Sequence, residues 1–276
     1  MHPILFEIPK MLGIGPIEIR WYGVMVAVAF IVALHLGVWR GKKRGLNPDV
    51  LFDLGIWLLV GALIGARVLY VLAEWRQYAE TPWEALFFFK GGLVFYGGVL
   101  GAIPVGLWFI RRKGLPTWLV ADLAAPSLAL GHALGRVGCF LNGCCFGHPT
   151  ECPMGVVFAP GSAAWEYFSA TVGRGDIRVH PVQLYEAVGE VVICIVLLAL
   201  EKKKRFHGQL FSGWLLLYGG LRFGLEELRE GNPEIMLGLT GSQWISVAAF
   251  LSSFLLLIFL KKGSDPKEPS SLEKAK

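Results

Sequence analysis

The sequence predicts an all-α membrane protein of about seven transmembrane helices, with a small extracytoplasmic head between helices 4 and 5. The first reason is composition: 54% of the 276 residues are hydrophobic and only 17% are charged, whereas soluble domains average about 25% charged residues. The second reason is that the apolar residues come in blocks. Residues 21–39, 91–110 and 239–260 contain no Asp, Glu, Lys or Arg, and each block has about the length that crosses a bilayer.

The apolar blocks define a series of predicted helices. They cover residues 21–39, 50–73, 91–110, 115–135, 182–200, 208–228 and 240–260. Basic clusters follow the first, third, fifth and seventh helices, at residues 40–44, 111–113, 202–205 and 261–262. The positive-inside rule places these ends in the cytoplasm, which puts the N-terminus outside and the C-terminus inside.

The same pattern predicts how the chain is divided. Residues 1–135 hold an outer N-terminal segment and helices 1–4, and residues 182–262 hold helices 5–7. Residues 136–181 are too interrupted by Gly and Pro for a span, and a connection of this length is usually functional or separately folded. Residues 263–276 are polar and are predicted to be a disordered cytoplasmic tail. The net charge of +5 lies in short loops between apolar blocks, so it predicts a topology in the lipid bilayer and no nucleic-acid partner.

Polar side chains from five predicted helices converge at one depth. A helix rises about 1.5 Å per residue, so Arg67, Arg136 and Glu186 all fall near the outer ends of their helices. Tyr96 begins the third helix on that side, and the sixth helix ends there. A charge inside a bilayer pairs with another group or faces an aqueous cavity. The convergence therefore predicts a functional site near the outer face.

The sixth helix places four polar residues on one face. Tyr218, Arg222, Glu226 and Arg229 follow one another at i, i+4, i+8 and i+11. One interpretation is a structural ion pair between Arg222 and Glu226. The arginines exceed the carboxylates that are obviously near them, which favours an anionic ligand, because guanidinium groups bind phosphate oxygens through paired hydrogen bonds.

Four of the five cysteines fall within fourteen residues of the predicted head: Cys139, Cys144, Cys145 and Cys152. They contain no C-x-x-C pair, so they do not favour a zinc site, and neither a metal nor a soluble cofactor is predicted. A disulfide of Cys144 or Cys145 with Cys152 is favoured on an oxidising side of the membrane, with the pairing left open. Two histidines, His35 and His132, are isolated in the sequence and receive no functional role.

Three strings of residues carry a resemblance to one family. They are Gly135-Arg-Val-Gly-Cys-Phe-Leu-Asn-Gly143, His180-Pro-Val-Gln-Leu-Tyr-Glu186, and Tyr218-Gly-Gly-Leu-Arg222-Phe-Gly-Leu-Glu226 followed by Arg229. Shorter matches at residues 19–23, 65–70 and 122–126 fall in the same order along nearly the whole chain. The sequence resembles the prolipoprotein diacylglyceryl transferase family.

The resemblance implies a reaction between a lipid and a peptide. The diacylglyceryl group of phosphatidylglycerol is transferred to the lipobox cysteine thiol of a preprolipoprotein signal peptide, a thioether forms, and glycerol phosphate is released. This is the first step of bacterial lipoprotein maturation. The resemblance also implies a position in the bacterial cytoplasmic (inner) membrane, with the active site toward the outer leaflet.

The resemblance further implies which residues act. Those expected in catalysis are Arg136, Arg222, Tyr96 and Glu226, with Glu226 orienting Arg222. A wider set is expected to bind substrate: Arg67, Tyr70, Asn142, Gly147, His180, Gln183, Tyr185, Glu186, Tyr218 and Arg229. Tyr96 stands where many members have a histidine, and Cys139 replaces the first asparagine of the family signature. The proton acceptor is therefore open between Tyr96, His180 and Glu186.

Two other classes of function fit parts of the pattern. A lipid or anion transporter needs polar groups that continue to the cytoplasmic face, but the inner halves of the predicted helices are apolar. A non-catalytic membrane scaffold could use the long outer loop to bind partners, but it leaves the convergent arginines unexplained.

Overall fold

The computed structural model describes residues 3–8, 17–79, 82–86 and 92–263 and is mostly helical. The helices are α1 Trp21–Lys43, α2 Pro48–Ala73, α3 Trp75–Tyr78, α4 Phe95–Arg112, α5 Thr117–Asn142, α6 Ala163–Val172, α7 Val182–Leu200, α8 Gln209–Glu226 and α9 Gly241–Gly263. In the part of the chain that the structure describes, three short antiparallel pairs of strands occur: β1 Ile4–Ile8 with β2 Ile17–Arg20, β3 Val156–Val157 with β4 Arg178–Val179, and β5 Glu234–Met236 with β6 Leu239–Thr240. The predicted tail at residues 264–276 lies outside the described residues.

Within the described ranges, four helical segments are long and apolar enough to cross a membrane: Trp21–Lys43, Pro48–Ala73, Val182–Lys203 and Gly241–Lys262. The prediction of a helical membrane protein is confirmed at this level. Helices α4, α5 and α8 also lie at predicted positions. Seven membrane crossings and an extracytoplasmic head stay predictions.

The chain divides into two compact units, which are Met1–Leu36 with Ala121–Lys276, and Gly37–Val120. In the second unit, α2 and α4 approach each other through glycines. A Cβ atom at Gly65 or Gly97 would collide with the other helix's backbone, and one at Gly101 would collide with the backbone at Gly61. The close packing of these helices therefore requires small residues, as in other membrane helix pairs.

In the first unit, α5, α7 and α8 pack around an apolar core, and Asp122 fixes the start of α8. The core contains Ala125, Ala129, Ile193, Cys194, Leu197 and Leu210. The buried carboxylate of Asp122 accepts hydrogen bonds from the backbone N–H groups of Gly208, Leu210 and Phe211 at 2.8–3.0 Å. Lys204 lies 2.9 Å from the same carboxylate. These bonds satisfy N–H groups at the helix start that have no partner within α8.

Replacing Asp122 by Asn is expected to destabilise the protein by about 3 kcal/mol, because a buried lysine loses its counter-ion. The melting temperature in detergent measures this loss. Asp53→Asn is the matched control, since Asp53 is exposed on α2, and a surface change of this kind is worth less than about 0.5 kcal/mol. Equal melting temperatures for the two variants would contradict the capping role.

Helix α5 ends later than predicted. The expected end was residue 135, but the helix continues to Asn142, so Arg136 lies inside it. Residue 138 packs closely against Met25. A Cβ atom at this position would lie 2.8 Å from the Cβ of Met25, so a glycine fits where a larger residue would not. The helix stops at Gly143, whose φ of +69° is the left-handed conformation that commonly terminates helices.

Helix α8 ends earlier than predicted. It stops at Glu226 instead of residue 228, so Arg229 lies beyond the helix and not on its face. The N–H groups of Leu228 and Arg229 bond to Leu225 and Glu226 in tight turns. Gly147 then forms a β-bridge with Arg229, which joins the chain after α8 to the chain after α5.

The segment between α5 and α7 is folded. It contains β3, β4 and α6, and Ser162 caps α6 by accepting a hydrogen bond from the N–H of Trp165 at 3.3 Å. Its own apolar core is made of Phe146, Phe158, Ala164, Phe168 and Val179. The segment thus has an apolar cluster of its own, and its assignment as an extracytoplasmic head stays a prediction.

Candidate functional site

Three helices of the first unit bring charged side chains together. The Nε atom of Arg136, on α5, lies 2.9 Å from Oε2 of Glu186, on α7. Arg222 of α8 places Nε 3.9 Å from Glu186 Oε1 and Nη2 2.6 Å from Glu226 Oε2. Glu186 therefore lies between two arginines. We call this set, together with His132 and Glu190, the α5–α7–α8 network.

His132 and Glu190 extend the network by one helical turn. His132 Nδ1 lies 2.6 Å from Glu190 Oε1, and His132 Nε2 lies 3.8 Å from Glu186 Oε1. The imidazole packs edge-on against Tyr218, with ring centroids 5.2 Å apart. The side chain of His132 is 25% exposed, while those of Glu190 and Glu186 are 0% and 2% exposed. Among these three groups, His132 is the one that a substrate can reach.

Glu226 is held on both sides. Its Oε2 pairs with Arg222, and its Oε1 accepts hydrogen bonds from Asn232 Nδ2 at 2.8 Å and Thr240 Oγ1 at 2.6 Å. Two polar groups outside α8 therefore fix the carboxylate that faces Arg222. This geometry suits an orienting role for Glu226.

The network holds three carboxylates and two arginines, so it carries no excess of positive charge. The ligand-binding capacity instead lies in hydrogen-bond donors. Arg222 Nη1 is buried and has no hydrogen-bond acceptor among the described residues. A buried donor without an acceptor is unfavourable, and an anionic oxygen is a suitable partner for a guanidinium N–H.

The turn after α5 collects several other predicted residues. Gln183 donates from Nε2 to the carbonyl of Cys144 at 2.6 Å, and the N–H of Gly147 donates to the carbonyl of His180 at 3.0 Å. A Cβ at Gly147 would lie 2.6 Å from the Leu228 carbonyl oxygen, so glycine is required by packing. The ring nitrogen Nδ1 of His180 lies 3.4 Å from Tyr185 Oη. These contacts hold the turn, and Asn142 lies at its start with a buried Oδ1.

Three predicted site residues belong to the second unit. Arg67 donates to the backbone carbonyls of Glu84, Ala85 and Gly92 at 2.8–3.2 Å. Its guanidinium also lies over the ring of Tyr70, 5.6 Å from the centroid. The hydrogen bonds give Arg67 a structural role within its own unit. Tyr96, in the first turn of α4, is 49% exposed.

Comparison with known proteins adds a finding from outside the structure. The family described as prolipoprotein diacylglyceryl transferase matches residues 9–259. The chain belongs to the prolipoprotein diacylglyceryl transferase family. Its relatives include proteins named phosphatidylglycerol–prolipoprotein diacylglyceryl transferase. The one from Trichormus variabilis is 35% identical over 264 residues, covering 87% of this chain and 90% of its own length.

Two further relatives with the same name have a similar degree of identity. The protein from Synechococcus elongatus is 33% identical, with 91% of this chain and 87% of the relative covered. The protein from Lactiplantibacillus plantarum is 34% identical, with 91% and 88% covered. The similarity therefore extends over nearly the full length of both chains in each case.

The motifs that carry the family resemblance contain only some of the network residues. Arg136, Glu186, Arg222 and Glu226 all lie in the strings that carry the resemblance, and the structure brings them together. His132 and Glu190 were missed, and His132 is not isolated as its sequence position suggested. The available signal was their spacing, since His132 precedes Arg136 by four residues and Glu190 follows Glu186 by four, which places each pair on one helix face.

Proposed function

We propose that this chain transfers the diacylglyceryl group of phosphatidylglycerol to the cysteine thiol of a lipobox in a preprolipoprotein. The peptide sulfur attacks the glycerol carbon that carries the phosphate, a C–S bond forms, and the C–O bond to phosphate breaks. The thiol proton leaves the sulfur, and glycerol phosphate departs. Family membership supports the reaction, and the pairing of the half-buried Arg136 and the buried Arg222 across Glu186 is the observation that carries it.

We place the phosphate of the lipid at Arg136 and Arg222. The leaving phosphate gains negative charge as the C–O bond breaks, and donors fixed in advance stabilise such charge most effectively. Arg222 Nη1 is buried without an acceptor among the described residues, which provides a donor for a phosphate oxygen. Glu226 holds Arg222 from the opposite side. We also propose that a wider set of residues binds substrate. Three of them lie around the adjacent turn: Arg229, Asn142 and Gly147. The others are Arg67, Tyr70, Gln183, Tyr185 and Tyr218.

We place the proton acceptor at His132. A free cysteine thiol has a pKa of about 8.5 and attacks as the thiolate, so the reaction needs a base near neutral pH. If His132 Nδ1–H donates to Glu190, Nε2 carries the lone pair that can accept the thiol proton. Glu190 then stabilises the imidazolium, as a carboxylate does in hydrolase triads. Glu186 is enclosed by arginines, which makes it a weaker candidate. Tyr96 is proposed to contact the lipid.

We further propose seven membrane crossings with the N-terminus outside. The last turns of α1, α4 and α9 are basic, as is the short 3₁₀ helix Glu201–Lys203 that follows α7. The positive-inside rule favours a cytoplasmic position for these ends. The network then lies toward the outer leaflet of the bacterial cytoplasmic membrane, where both the lipid and the signal peptide reach it.

A defined reaction tests the proposal. Purified protein in detergent is mixed with phosphatidylglycerol and a lipobox peptide, and the peptide mass and released glycerol phosphate are recorded. The expected result is a diacylglyceryl mass gain on the peptide with one glycerol phosphate per modified thiol. A peptide with Cys replaced by Ser is the control. Absence of modified peptide with folded, lipid-bound protein would refute the transfer. Lipid movement across vesicles without a covalent product would favour a transporter.

A further inference from the structure

Three cysteines at the end of α5 form a cluster of thiols. The sulfur atoms of Cys139, Cys144 and Cys145 all lie within 4.8 Å of one another. All three are free thiols. Cys139 belongs to the last turn of α5, and the other two follow Gly143. The proposed transfer reaction uses none of them.

The backbone of the turn holds the thiols together. Cys145 has a φ of +61°, which is uncommon for a residue other than glycine and carries strain of about 1–3 kcal/mol. The N–H of Cys144 donates to the Cys139 carbonyl at 3.1 Å, and Gln183 holds the Cys144 carbonyl at 2.6 Å. A strained conformation persists only where the surroundings fix it. The convergence of the sulfur atoms is therefore a property of the folded turn.

We propose that Cys139, Cys144 and Cys145 bind a thiophilic d¹⁰ metal ion, represented by Cu(I), as three thiolate ligands. Metal–sulfur bonds of about 2.3 Å place the sulfur atoms of a trigonal complex about 4 Å apart. Sulfur atoms within 4.8 Å reach this separation with small side-chain rotations. Soft thiolates select Cu(I) and Zn(II), and a set of three suits trigonal Cu(I) better than Zn(II), which prefers four ligands.

The surrounding charge is compatible with thiolate ligands. Arg136 and Arg229 both act electrostatically on Cys145. Their positive charge offsets the negative charge that three thiolates bring to a complex with a monovalent ion. Binding releases the thiol protons to solvent and requires no electron transfer. The bound ion would join the end of α5 to the turn that carries Gly147, and would stabilise the turn without entering the transfer reaction.

Metal binding can be measured directly on the full chain. The protein is purified in detergent under anaerobic, reducing conditions, and Cu(I) is titrated in competition with a chromophoric Cu(I) chelator. We expect one Cu(I) per chain, a near-ultraviolet band from thiolate-to-metal charge transfer, and a higher melting temperature. Cys139→Ser should lower the affinity for Cu(I) by more than about 100-fold. Loss of a residue that only supports a metal ligand typically lowers metal affinity by about 10–100-fold. Cys152→Ser and Cys194→Ser are matched controls that should bind normally.

Two results would overturn the metal site. Cu(I) binding of equal affinity in the wild type and in Cys139→Ser is one. Loss of binding in Cys152→Ser is another. Because occupancy is read from metal content and absorbance, failure here is separate from failure of the transferase assay.

Discussion

Replacing Arg222 by Lys is expected to lower kcat/KM about 10³-fold, the upper range for losing a fixed donor to a developing anion. Lysine keeps the positive charge and can still pair with Glu226, but it lacks the planar fork that binds two phosphate oxygens. The buried Nη1 that is free of an acceptor in the described residues is lost as well. Initial rates of peptide modification at several phosphatidylglycerol concentrations measure the effect.

The matched control for Arg222→Lys is Arg174→Lys. Arg174 is exposed in the segment between α5 and α7 and lies 3.7 Å from Asp176, so its replacement should leave kcat/KM within twofold. The melting temperature of both variants should stay near that of the wild type. Normal turnover of Arg222→Lys would remove Arg222 from the phosphate site.

Replacing His132 by Asn is expected to lower kcat about 10²–10⁴-fold near pH 7, the usual contribution of general acid–base catalysis. The reason is that the variant has no group in the network that is both exposed and able to accept the thiol proton, since Glu186 and Glu190 are buried. His35→Asn is the matched control, because His35 bonds to the Ile31 carbonyl on its own helix. Tyr96→Phe tests the alternative that Tyr96 accepts the proton.

The pH dependence distinguishes a proton acceptor from a structural residue. Without His132, the rate should follow the fraction of peptide thiolate, rising about tenfold per pH unit up to the thiol pKa near 8.5. The difference between variant and wild type should shrink accordingly as the pH rises. A loss that is the same at every pH would indicate that His132 only positions its neighbours. A large loss in Tyr96→Phe with normal activity in His132→Asn would move the base to Tyr96.

Some features of the fold follow from local sequence patterns. Apolar blocks of membrane-crossing length predict where the long helices lie, because burial of backbone groups in lipid requires helices. The spacing of Tyr218, Arg222 and Glu226 predicts one polar face of α8, and the structure places Arg222 beside Glu226. The motif residues Arg136 and Glu186 also meet as their shared predicted depth suggested.

Other features depend on contacts between distant segments. The partner of His132 is Glu190, 58 residues away, so no local pattern shows that the histidine is engaged. The carbonyl groups that hold Arg67 come from a separate segment of the second unit. The close approach of α5 to Met25 of α1 leaves little room for a side chain at residue 138, and no local pattern shows this contact. The balance of charge in the network depends on which carboxylates reach the arginines, and the contacts between α5, α7 and α8 decide this.

Phosphate recognition by Arg136 and Arg222 is tested most directly by comparing two short-chain ligands in the absence of peptide. Phosphatidylglycerol and the matching diacylglycerol are titrated calorimetrically into the detergent-solubilised wild type and into a variant with both arginines replaced by Lys. Charged hydrogen bonds of about 1.5–3 kcal/mol predict that the wild type prefers phosphatidylglycerol by about 100-fold, and that the preference falls at least tenfold in the variant. An unchanged preference would show that the phosphate is bound elsewhere.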